Sequence, residues 1–360
     1  MSKDKIVVYF NHWFSSMESL ISDLKSRYKD NLMIVASSVN ENATYKNAAD
    51  VFIQMDETVD NWVSICEKYS VNLFFCRDRL DIVDNEVLKR LRETGVDVVI
   101  DKNRLIDNKA EFYRLIEDTC KFDKFPDIVI PYYATFEDCN SKEDVMHKLF
   151  KITTGIMAEG VKPTFKFTTG EGGLSYREVE MAHSVTYDNL TSPSSRIIEY
   201  ADLLTLFENM SLAQAKEFMF MEKLAGPEIS LDCYVSKSAG FLAYGREKIG
   251  RHQKIVDCQS TNNEDYIQMR KLAEEVAKQF NLKNPFNIQF MRNEKNRSLA
   301  ILEVNNRLSG GCYMLTPLGI NMCDIVIKDR TSGMLSDADI KFNTGNAEAT
   351  VARTEKPVVV

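Results

Sequence analysis

Short apolar strands alternate with helices over residues 5–100, and this alternation restricts the fold more than any other feature of the chain. Because a helical crossover returns the chain to the same edge of a sheet, such an alternation predicts a parallel sheet covered by helices. We therefore predict a parallel α/β lobe at the start of the chain. The predicted strands lie at residues 5–10, 31–36, 51–53, 71–76 and 96–100.

The loops at the carboxyl ends of these strands are the places where parallel sheets bind ligands. Residues 11–16 and 77–79 form two such loops, in which His12 and Arg79 could hold an anionic substrate group. The alternative is a turn histidine and a solvent-exposed arginine with no ligand. No G-x-G-x-x-G motif follows the first strand, which argues against a dinucleotide site there.

Length, charge and cysteine usage narrow the classes of protein to which the chain can belong. A chain of 360 residues exceeds what one core usually organises, so we expect two or three lobes. The net charge of −8 argues against a general nucleic-acid-binding protein. No apolar run has the length of a membrane span, and eight scattered cysteines without a C-x-x-C pair are typical of a reducing compartment. We expect a cytoplasmic protein with no nucleic-acid or membrane partner. The sequence leaves open whether the protein forms a homodimer.

A predicted hairpin at residues 285–311 concentrates polar side chains on one face. Two alternating strands are joined by a polar turn, and a loop of about five residues would place Gln289 opposite Glu303. The period of two puts Glu303 and Asn305 on one face, with Arg307 just beyond the strand. Oxygen ligands suit Mg²⁺, and a guanidinium group suits phosphate oxygens. The alternative is an ordinary amphipathic hairpin with one face in water.

A lysine and a glycine-rich stretch precede this hairpin in the sequence. Residues 155–163 are predicted as a strand that leads to Lys162, and Gly170, Gly172 and Gly173 follow shortly after it. Glycines let backbone amides approach phosphate oxygens, and a nearby lysine supplies positive charge. Because the lysine precedes the glycines, the stretch is not a Walker A loop. The alternative is a common glycine turn beside a solvated lysine.

Four segments in this order resemble the ATP-grasp superfamily, and most closely its carbamoyl-phosphate-synthase-like and biotin-carboxylase-like branch. The resemblance runs from about Lys5 to Lys328, and its flap motif falls on Gly170 to Glu178. It implies that the nucleotide contacts are Lys109, Lys162, Gly170, Gly172, Gly173, Glu222, Lys223, Leu224 and Glu228. The metal and phosphate signature of the family, Q…E-x-N-x-R, falls on Gln289, Glu303, Asn305 and Arg307.

The sequence departs from the family pattern at a few points. Asn108 separates an aspartate and a lysine that usually adjoin, and Asn306 replaces the usual proline before Arg307. Only one ATP-grasp unit is present, which excludes a complete carbamoyl phosphate synthase built from two.

The resemblance implies an α+β ATP-grasp fold, with an N-terminal parallel α/β lobe and two α+β subdomains that clamp ATP. The C-terminal extension is either one more strand or a loose tail. We place the N-terminal lobe at residues 1–106, the subdomain with the glycine-rich flap at 107–184, the subdomain with the metal site at 185–330 and the extension at 331–360.

The resemblance also implies an ATP-dependent ligase. It would activate a small carboxylate, an amino acid among the candidates, as an acyl phosphate for attack by an amine. ATP and Mg²⁺ (or Mn²⁺) are the expected cofactors, and the metal ligands are expected to be Gln289, Glu303 and Asn305. Arg307, Asn305 and Arg246 would stabilise charge on the transferring group.

Two other functions stay open. One is kinase-like phosphoryl transfer to a carboxylate or another small acceptor. The other is a nucleotide-binding regulator without catalysis, against which Glu303, Asn305 and Arg307 argue because adenine binding alone would not need them.

Overall fold

The computed structural model describes residues 5–78, 82–102, 104–119, 125, 128–169, 175–181 and 196–352. The chain divides into two compact units, each assembled from segments that are distant in sequence. Unit 1 comprises Met1–Asn103, Ile229–Ile288 and Asn305–Val360, and unit 2 comprises Arg104–Glu228 and Gln289–Val304. The predicted division at residues 106, 184 and 330 stays a prediction.

Strands and helices account for most of the described chain, and none of its helices combines the length and apolar character that a membrane span requires. The strands, numbered β1 to β17 in chain order, are Ile6–Phe10, Leu32–Ser38, Val51–Gln54, Leu73–Phe75, Asp97–Val98, Ile128–Val129, Tyr133–Thr135, Pro163–Phe167, Arg177–Glu180, Ile197–Glu199, Phe218–Glu222, Leu224–Ser236, Gly240–Ile249, His252–Asp257, Phe286–Asn293, Leu299–Asn305 and Glu348–Ala352. The helices, numbered α1 to α11, are Met17–Tyr28, Val59–Tyr69, Asn85–Glu93, Arg104–Asp107, Lys109–Thr119, Lys142–Ala158, Tyr200–Asn209, Leu212–Ala215, Glu264–Gln279, Met322–Thr331 and Asp337–Ile340. Short 3-10 helices lie at Lys29–Asn31 and Cys312–Leu318.

The first sheet of unit 1 is parallel, with the strand order β3-β2-β1-β4-β5. Strand β1 lies in the middle, where Phe10 pairs with Ala36 on one side and with Phe75 on the other. This sheet, with helices α1 to α3 between its strands, confirms the predicted parallel α/β lobe. The strand order reverses between β1 and β4, so the loops after these strands flank a switch point of the kind that binds ligands.

Both faces of this parallel sheet are buried, because alternate side chains of β1 enter different apolar clusters. Val8 and Phe10 belong to a cluster that also contains Leu315 from the C-terminal part of unit 1. Val7 and Tyr9 belong to the cluster on the other face. A strand that is buried on both faces reads as a continuous apolar run, which is what the sequence presents at residues 6–10.

The second sheet of unit 1 is antiparallel, with the order β17-β14-β13-β12. Tyr244 of β13 pairs with Asp232 of β12 and with Asp257 of β14. Strand β17 lies within the predicted C-terminal extension, and its Ala352 pairs with His252. Of the two alternatives left open by the sequence, the extension therefore provides an edge strand.

Unit 2 contains a five-stranded sheet with the order β10-β9-β8-β11-β7. Phe165 of β8 pairs with Phe220 of β11, and the two rings stack at a centroid distance of 5.4 Å. Helix α6 covers these rings through buried residues that include Leu149. The hairpin strands β15 and β16 are neighbours, and β16 also runs parallel to β6.

Residues 155–163 do not form the strand that the sequence predicted. Helix α6 begins after the capping residue Ser141 and continues to Ala158. It ends just before Gly160, whose φ of 75° favours glycine. The prediction was wrong because Ile156 belongs to the helical stripe of buried residues rather than to an apolar strand. The strand itself starts only at Pro163.

Candidate active site

Unit 2 contains a partly open cavity of about 700 Å³, which is lined by residues of the five-stranded sheet and the hairpin. Seven of the residues predicted from the sequence line it: Lys109, Glu222, Lys223, Leu224, Glu228, Gln289 and Glu303. Further lining residues with a charged or apolar side chain include Lys166, Glu178, Arg196, Met221, Met291 and Leu302. The cavity therefore combines both signs of charge with an apolar wall.

Lys109 is held at one side of the cavity by the start of its own helix. The Asn108 side chain accepts hydrogen bonds from the N–H groups of Ala110 and Glu111, at 3.0 and 3.1 Å. The inserted asparagine is thus the N-cap of the helix. The backbone N–H of Lys109 donates to the Thr168 carbonyl at 2.8 Å, which fixes the helix start to the end of β8.

Lys166, on β8, is a second cavity lysine and is one that the sequence reasoning missed. Its side chain is buried, and burial lowers the pKa of Lys166 to about 8. Glu303 opposes this shift, and the like charge of Lys109 adds to it. The Lys109 ammonium lies 3.7 Å from the Glu303 carboxylate. A bound phosphate would favour the charged ammonium form of Lys166, because an opposite charge nearby stabilises it. The buried Lys166 side chain is therefore suited to binding an anion.

Lys162, the lysine predicted from the sequence, is not among the lining residues. Its side chain is half exposed and donates to Glu180 at 2.6 Å. We call residues 222–224 the hinge; the backbone carbonyl of Lys162 accepts a hydrogen bond there from the Lys223 N–H at 2.8 Å. Gly170, Gly172 and Gly173 lie outside the described residues. One sequence feature could have identified Lys166. It lies three residues after Pro163, inside the strand that leads to the glycines.

The hinge at the end of β11 is built by charged contacts. The Glu222 carboxylate accepts from the Tyr132 N–H at 2.9 Å and from the Asn293 side chain at 3.0 Å. Lys223 donates to Glu178 at 2.6 Å, so the hinge and the strand after the glycine-rich stretch are joined. The apolar wall adjoins this hinge and includes Met221 and Leu224, which cluster together.

Gln289 and Glu303 bring two oxygen ligands to the same cavity. Within the described residues, no group of three or more His, Cys, Asp or Glu side chains is placed to hold a metal ion. A carboxylate and an amide oxygen nevertheless fit Mg²⁺, since this ion usually keeps several waters and takes further oxygens from substrate phosphates. The donor set therefore fits a magnesium ion that binds together with a nucleotide.

The remaining predicted residues, Asn305, Arg307 and Arg246, belong to unit 1. Asn305 is the last residue of β16, the strand that carries Glu303. Arg246 is buried and donates through Nε to Asp232 at 2.6 Å and through a terminal nitrogen to Ser309 at 2.8 Å. A buried guanidinium that is paired in this way keeps its charge and a fixed orientation.

Gly311 shows how closely Arg246 is packed. A Cβ atom at position 311 would lie 2.1 Å from a terminal nitrogen of Arg246. Only glycine therefore leaves the guanidinium in its present position.

Comparison with known proteins identifies an ATP-grasp region in the second half of the chain. Residues 214–356 match the sequence family described as ATP-grasp in the biosynthetic pathway with Ter operon. No curated protein matches the sequence.

Solved structures resemble nearly the whole chain. The biotin carboxylase domain of 2-oxoglutarate carboxylase from Hydrogenobacter thermophilus has a TM-score of 0.66 at 15% identity, over 95% of this chain and 73% of that one. Biotin carboxylase from Campylobacter jejuni has a TM-score of 0.63 at 14% identity, over 94% of this chain and 73% of that one. N5-carboxyaminoimidazole synthetase from Staphylococcus aureus has a TM-score of 0.62 at 11% identity, over 94% of this chain and 80% of that one.

At these identities the likeness to the solved structures is one of fold. All three are ATP-grasp enzymes, and the matching sequence family is an ATP-grasp family. The chain thus has the mixed α/β fold that its motifs predicted, and its residues 214–356 match an ATP-grasp family.

Proposed function

We propose that this protein is an ATP-dependent ligase that activates a small carboxylate as an acyl phosphate and transfers the acyl group to an amine. The observation that carries the proposal is the unit 2 cavity, in which two lysines, a hinge and a pair of oxygen ligands line one space. The similar structures support the same reading, since the domain from Hydrogenobacter thermophilus was solved with MgADP and bicarbonate. The synthetase from Staphylococcus aureus was also solved with ADP.

The cavity has the surfaces that a nucleotide requires. Met221, Leu224 and Met291 offer an apolar wall for the base. We assign the base to the hinge backbone at Lys223 and Leu224, and the ribose to Glu228. Glu222 would act by holding the hinge in place, because both of its carboxylate oxygens accept hydrogen bonds from the protein.

The phosphates are assigned to the cationic side of the cavity. Lys109 and Lys166 would neutralise them, because lysine ammonium groups bind phosphate oxygens as point charges. Lys162, the lysine predicted from the sequence, is a further candidate for a phosphate contact. The backbone amides of Gly170, Gly172 and Gly173 would contact the phosphates as the predicted flap.

The oxygen ligands would hold the metal. Gln289 and Glu303, with Asn305 at the end of the same strand as Glu303, are the residues that would bind Mg²⁺ or Mn²⁺. When bound, such an ion neutralises charge on the phosphate oxygens of the nucleotide.

The transfer itself requires mainly position and charge. Phosphoryl transfer needs little covalent chemistry from the protein, so residues that orient and neutralise its charged groups carry most of the catalysis. We assign Arg307 and Arg246, with Asn305, to the charge that develops on the transferring group and on the acyl phosphate. The hydrogen bonds from Arg246 to Asp232 and Ser309 fix its orientation before any substrate binds.

The proposal is tested by ADP release from MgATP in the presence of pooled carboxylates and pooled amines. A ligase releases ADP at full rate only when both pools are present. Release with carboxylates alone would support a kinase-like transfer instead. A lack of ADP release with every pool, while MgATP still binds, would refute catalysis and favour a nucleotide-binding regulator.

A further inference from the structure

A buried tyrosine joins the helix that carries Lys109 to the strand that carries Glu303. The Tyr113 hydroxyl donates a hydrogen bond to the Leu302 carbonyl at 2.6 Å. Tyr113 belongs to helix α5, which begins at Lys109, and Leu302 immediately precedes Glu303 in β16. The two segments are 189 residues apart in the sequence, yet both belong to unit 2. The hydrogen bond therefore links the two elements that bring a lysine and a carboxylate to the cavity.

Tyr113 and Lys109 lie on the same side of α5. Residues four apart are neighbours on the surface of a helix, so the two side chains leave the helix in similar directions. The Lys109 ammonium lies 3.7 Å from the Glu303 carboxylate, and the Tyr113 hydroxyl bonds to the residue beside Glu303. One side of one helix thus meets the same short part of β16 twice, once through a charge and once through a hydroxyl group.

The neighbouring strand β6 supports only the start of β16. Strand β6 consists of Ile128–Val129, which pair with Leu299 and Ala300. Leu302 lies beyond this pairing, and its carbonyl accepts the tyrosine hydroxyl instead. A side chain of α5 therefore fixes the backbone next to Glu303, at a point that the pairing with β6 does not reach.

Burial and packing hold the Tyr113 hydroxyl in one position. Tyr113 is fully buried, and its ring meets the Tyr133 ring edge-on at a centroid distance of 5.1 Å. Burial raises the pKa of Tyr113 well above its usual value, and the Glu303 carboxylate raises it further. The hydroxyl therefore keeps its proton at neutral pH and stays a hydrogen-bond donor.

Glu303 needs a fixed position if it is to bind Mg²⁺. This ion demands near-ideal octahedral geometry, with ligands at about 2.0–2.1 Å. The Lys109 ammonium attracts the same carboxylate, because opposite charges attract. If β16 shifted towards the helix, Glu303 would pair more closely with Lys109 and would present its oxygens less well to the metal. A constant spacing between α5 and β16 prevents this shift.

We propose that Tyr113 is a positioning residue for the metal ligand Glu303, and that it acts by fixing the spacing between α5 and β16. Tyr113 is not among the residues that line the cavity, so it acts through the Leu302 carbonyl and the backbone of Glu303. That Glu303 binds a metal rests on the proposed function. Residues that orient metal ligands typically change metal affinity by about 10- to 100-fold when they are lost.

The test compares two tyrosines that make the same kind of hydrogen bond. Tyr113→Phe removes the hydroxyl and keeps the ring that packs on Tyr133. Tyr244→Phe is the matched control, because the Tyr244 hydroxyl also donates to a backbone carbonyl, that of Ile340, at 2.6 Å. Tyr244 is equally buried, but it belongs to unit 1, whereas the cavity belongs to unit 2. The control therefore reproduces the structural loss without affecting the support of Glu303.

Calorimetric titration of the full-length proteins measures the dissociation constant of ATP, once with Mg²⁺ and once with excess EDTA. The ratio of the two constants reports how strongly the metal supports nucleotide binding. We expect Tyr113→Phe to reduce this ratio by about tenfold, whereas Tyr244→Phe should keep the ratio of the wild type. Both variants should lower the melting temperature of the free protein by similar amounts, because each leaves a buried carbonyl without its donor.

The inference is overturned if the ratio in Tyr113→Phe equals that of the wild type, or if it falls equally in both variants. It is also overturned if Tyr113→Phe loses its cooperative melting transition while Tyr244→Phe keeps it, since the hydroxyl would then serve folding. A wild-type protein that binds ATP in neither medium would refute the proposed function and this inference with it. That result is distinguishable from the others, because they all require that the wild type binds ATP or melts cooperatively.

Discussion

The Asn293 side chain donates a hydrogen bond of 3.0 Å to the Glu222 carboxylate, and so joins the hairpin strand β15 to the hinge at the end of β11. The other carboxylate oxygen accepts from the Tyr132 N–H at 2.9 Å. Glu222 is therefore a joint between three segments of unit 2.

Replacing this joint should cost stability. Glu222→Gln replaces one acceptor oxygen by an amide NH₂ group, which would then face the donor of Tyr132 or of Asn293. We expect the free energy of unfolding to fall by about 1–3 kcal/mol, the usual cost of leaving a hydrogen-bonding group unsatisfied. Urea denaturation measures it, with Glu217→Gln, an exposed residue just before β11, as control. Equal stability of the two variants would contradict the role of Glu222 as a joint.

The Glu303 carboxylate should be required for turnover and dispensable for folding. It lines the cavity 3.7 Å from the Lys109 ammonium, and Glu303→Gln keeps its shape while removing its charge. We expect ADP release to fall by about 100-fold or more, as when a charge-stabilising group is lost from other active sites. The melting temperature should stay close to that of the wild type. Glu294→Gln, in the exposed turn of the same hairpin, should keep full activity; loss of activity in both variants would argue against a specific role.

The two candidate phosphate lysines can be separated by mutation. Lys166 is buried in the cavity, whereas Lys162 is half exposed and paired with Glu180. Lys166→Met should weaken MgATP binding by about tenfold or more, because a charge-assisted contact is lost. Lys162→Met should change it far less. Calorimetric titration compares them, and the reverse order would favour the lysine predicted from the sequence.

MgATP affinity should depend on pH through the same residue. Because the pKa of Lys166 is lowered to about 8, the side chain is almost fully charged below about pH 7 and loses its charge as the pH rises through about 8. Affinity should therefore be constant below about pH 7 and should fall as the pH rises through about 8. Calorimetric titrations over this range measure it. In Lys166→Met this part of the pH dependence should disappear, and an unchanged profile would assign it to another group.

Acid should weaken a buried contact in unit 1. The Asp329 carboxylate accepts from Ser236 at 2.7 Å, from Tyr234 at 2.9 Å and from the Lys237 N–H at 3.0 Å. Burial raises the pKa of Asp329, but these donors outweigh burial and hold the pKa below its usual value. A depressed carboxyl pKa contributes stability above the unfolded pKa, about 3.9, and loses it as the pH falls below that value.

The variant Asp329→Asn tests this contact. It should lower the free energy of unfolding by about 1–3 kcal/mol near neutral pH and by less near pH 3. Urea denaturation at both pH values measures the difference. Asp337→Asn, which changes an exposed residue of the same unit, is the control. Its difference in free energy of unfolding from the wild type should be no smaller near pH 3 than near neutral pH.

The parallel lobe and the resemblance to ATP-grasp proteins could be predicted from the sequence because both depend on local patterns. The apolar run at residues 6–10 and the spacing of Glu303, Asn305 and Arg307 are visible within short windows. Contacts between residues that are far apart in the sequence are not visible in this way. Nothing near Glu222 in the sequence points to Asn293, its partner 71 residues away.

Lys166 was missed for a different reason. An apolar stretch around Ile156 was interpreted as a strand, so the strand lysine was placed at Lys162. The helix in fact continues to Ala158, and the strand begins only at Pro163, so that Lys162 precedes it and Lys166 lies within it. The boundary of one helix therefore decided which lysine was assigned to phosphate.

The discontinuous make-up of the two units has a consequence for synthesis on the ribosome. Unit 2 needs residues 289–304 to complete it, and unit 1 needs residues from 305 onwards. A nascent chain that ends at residue 228 therefore lacks part of both. Neither unit can reach its final structure until most of the chain has emerged, so this protein departs from the usual order in which an N-terminal domain folds first.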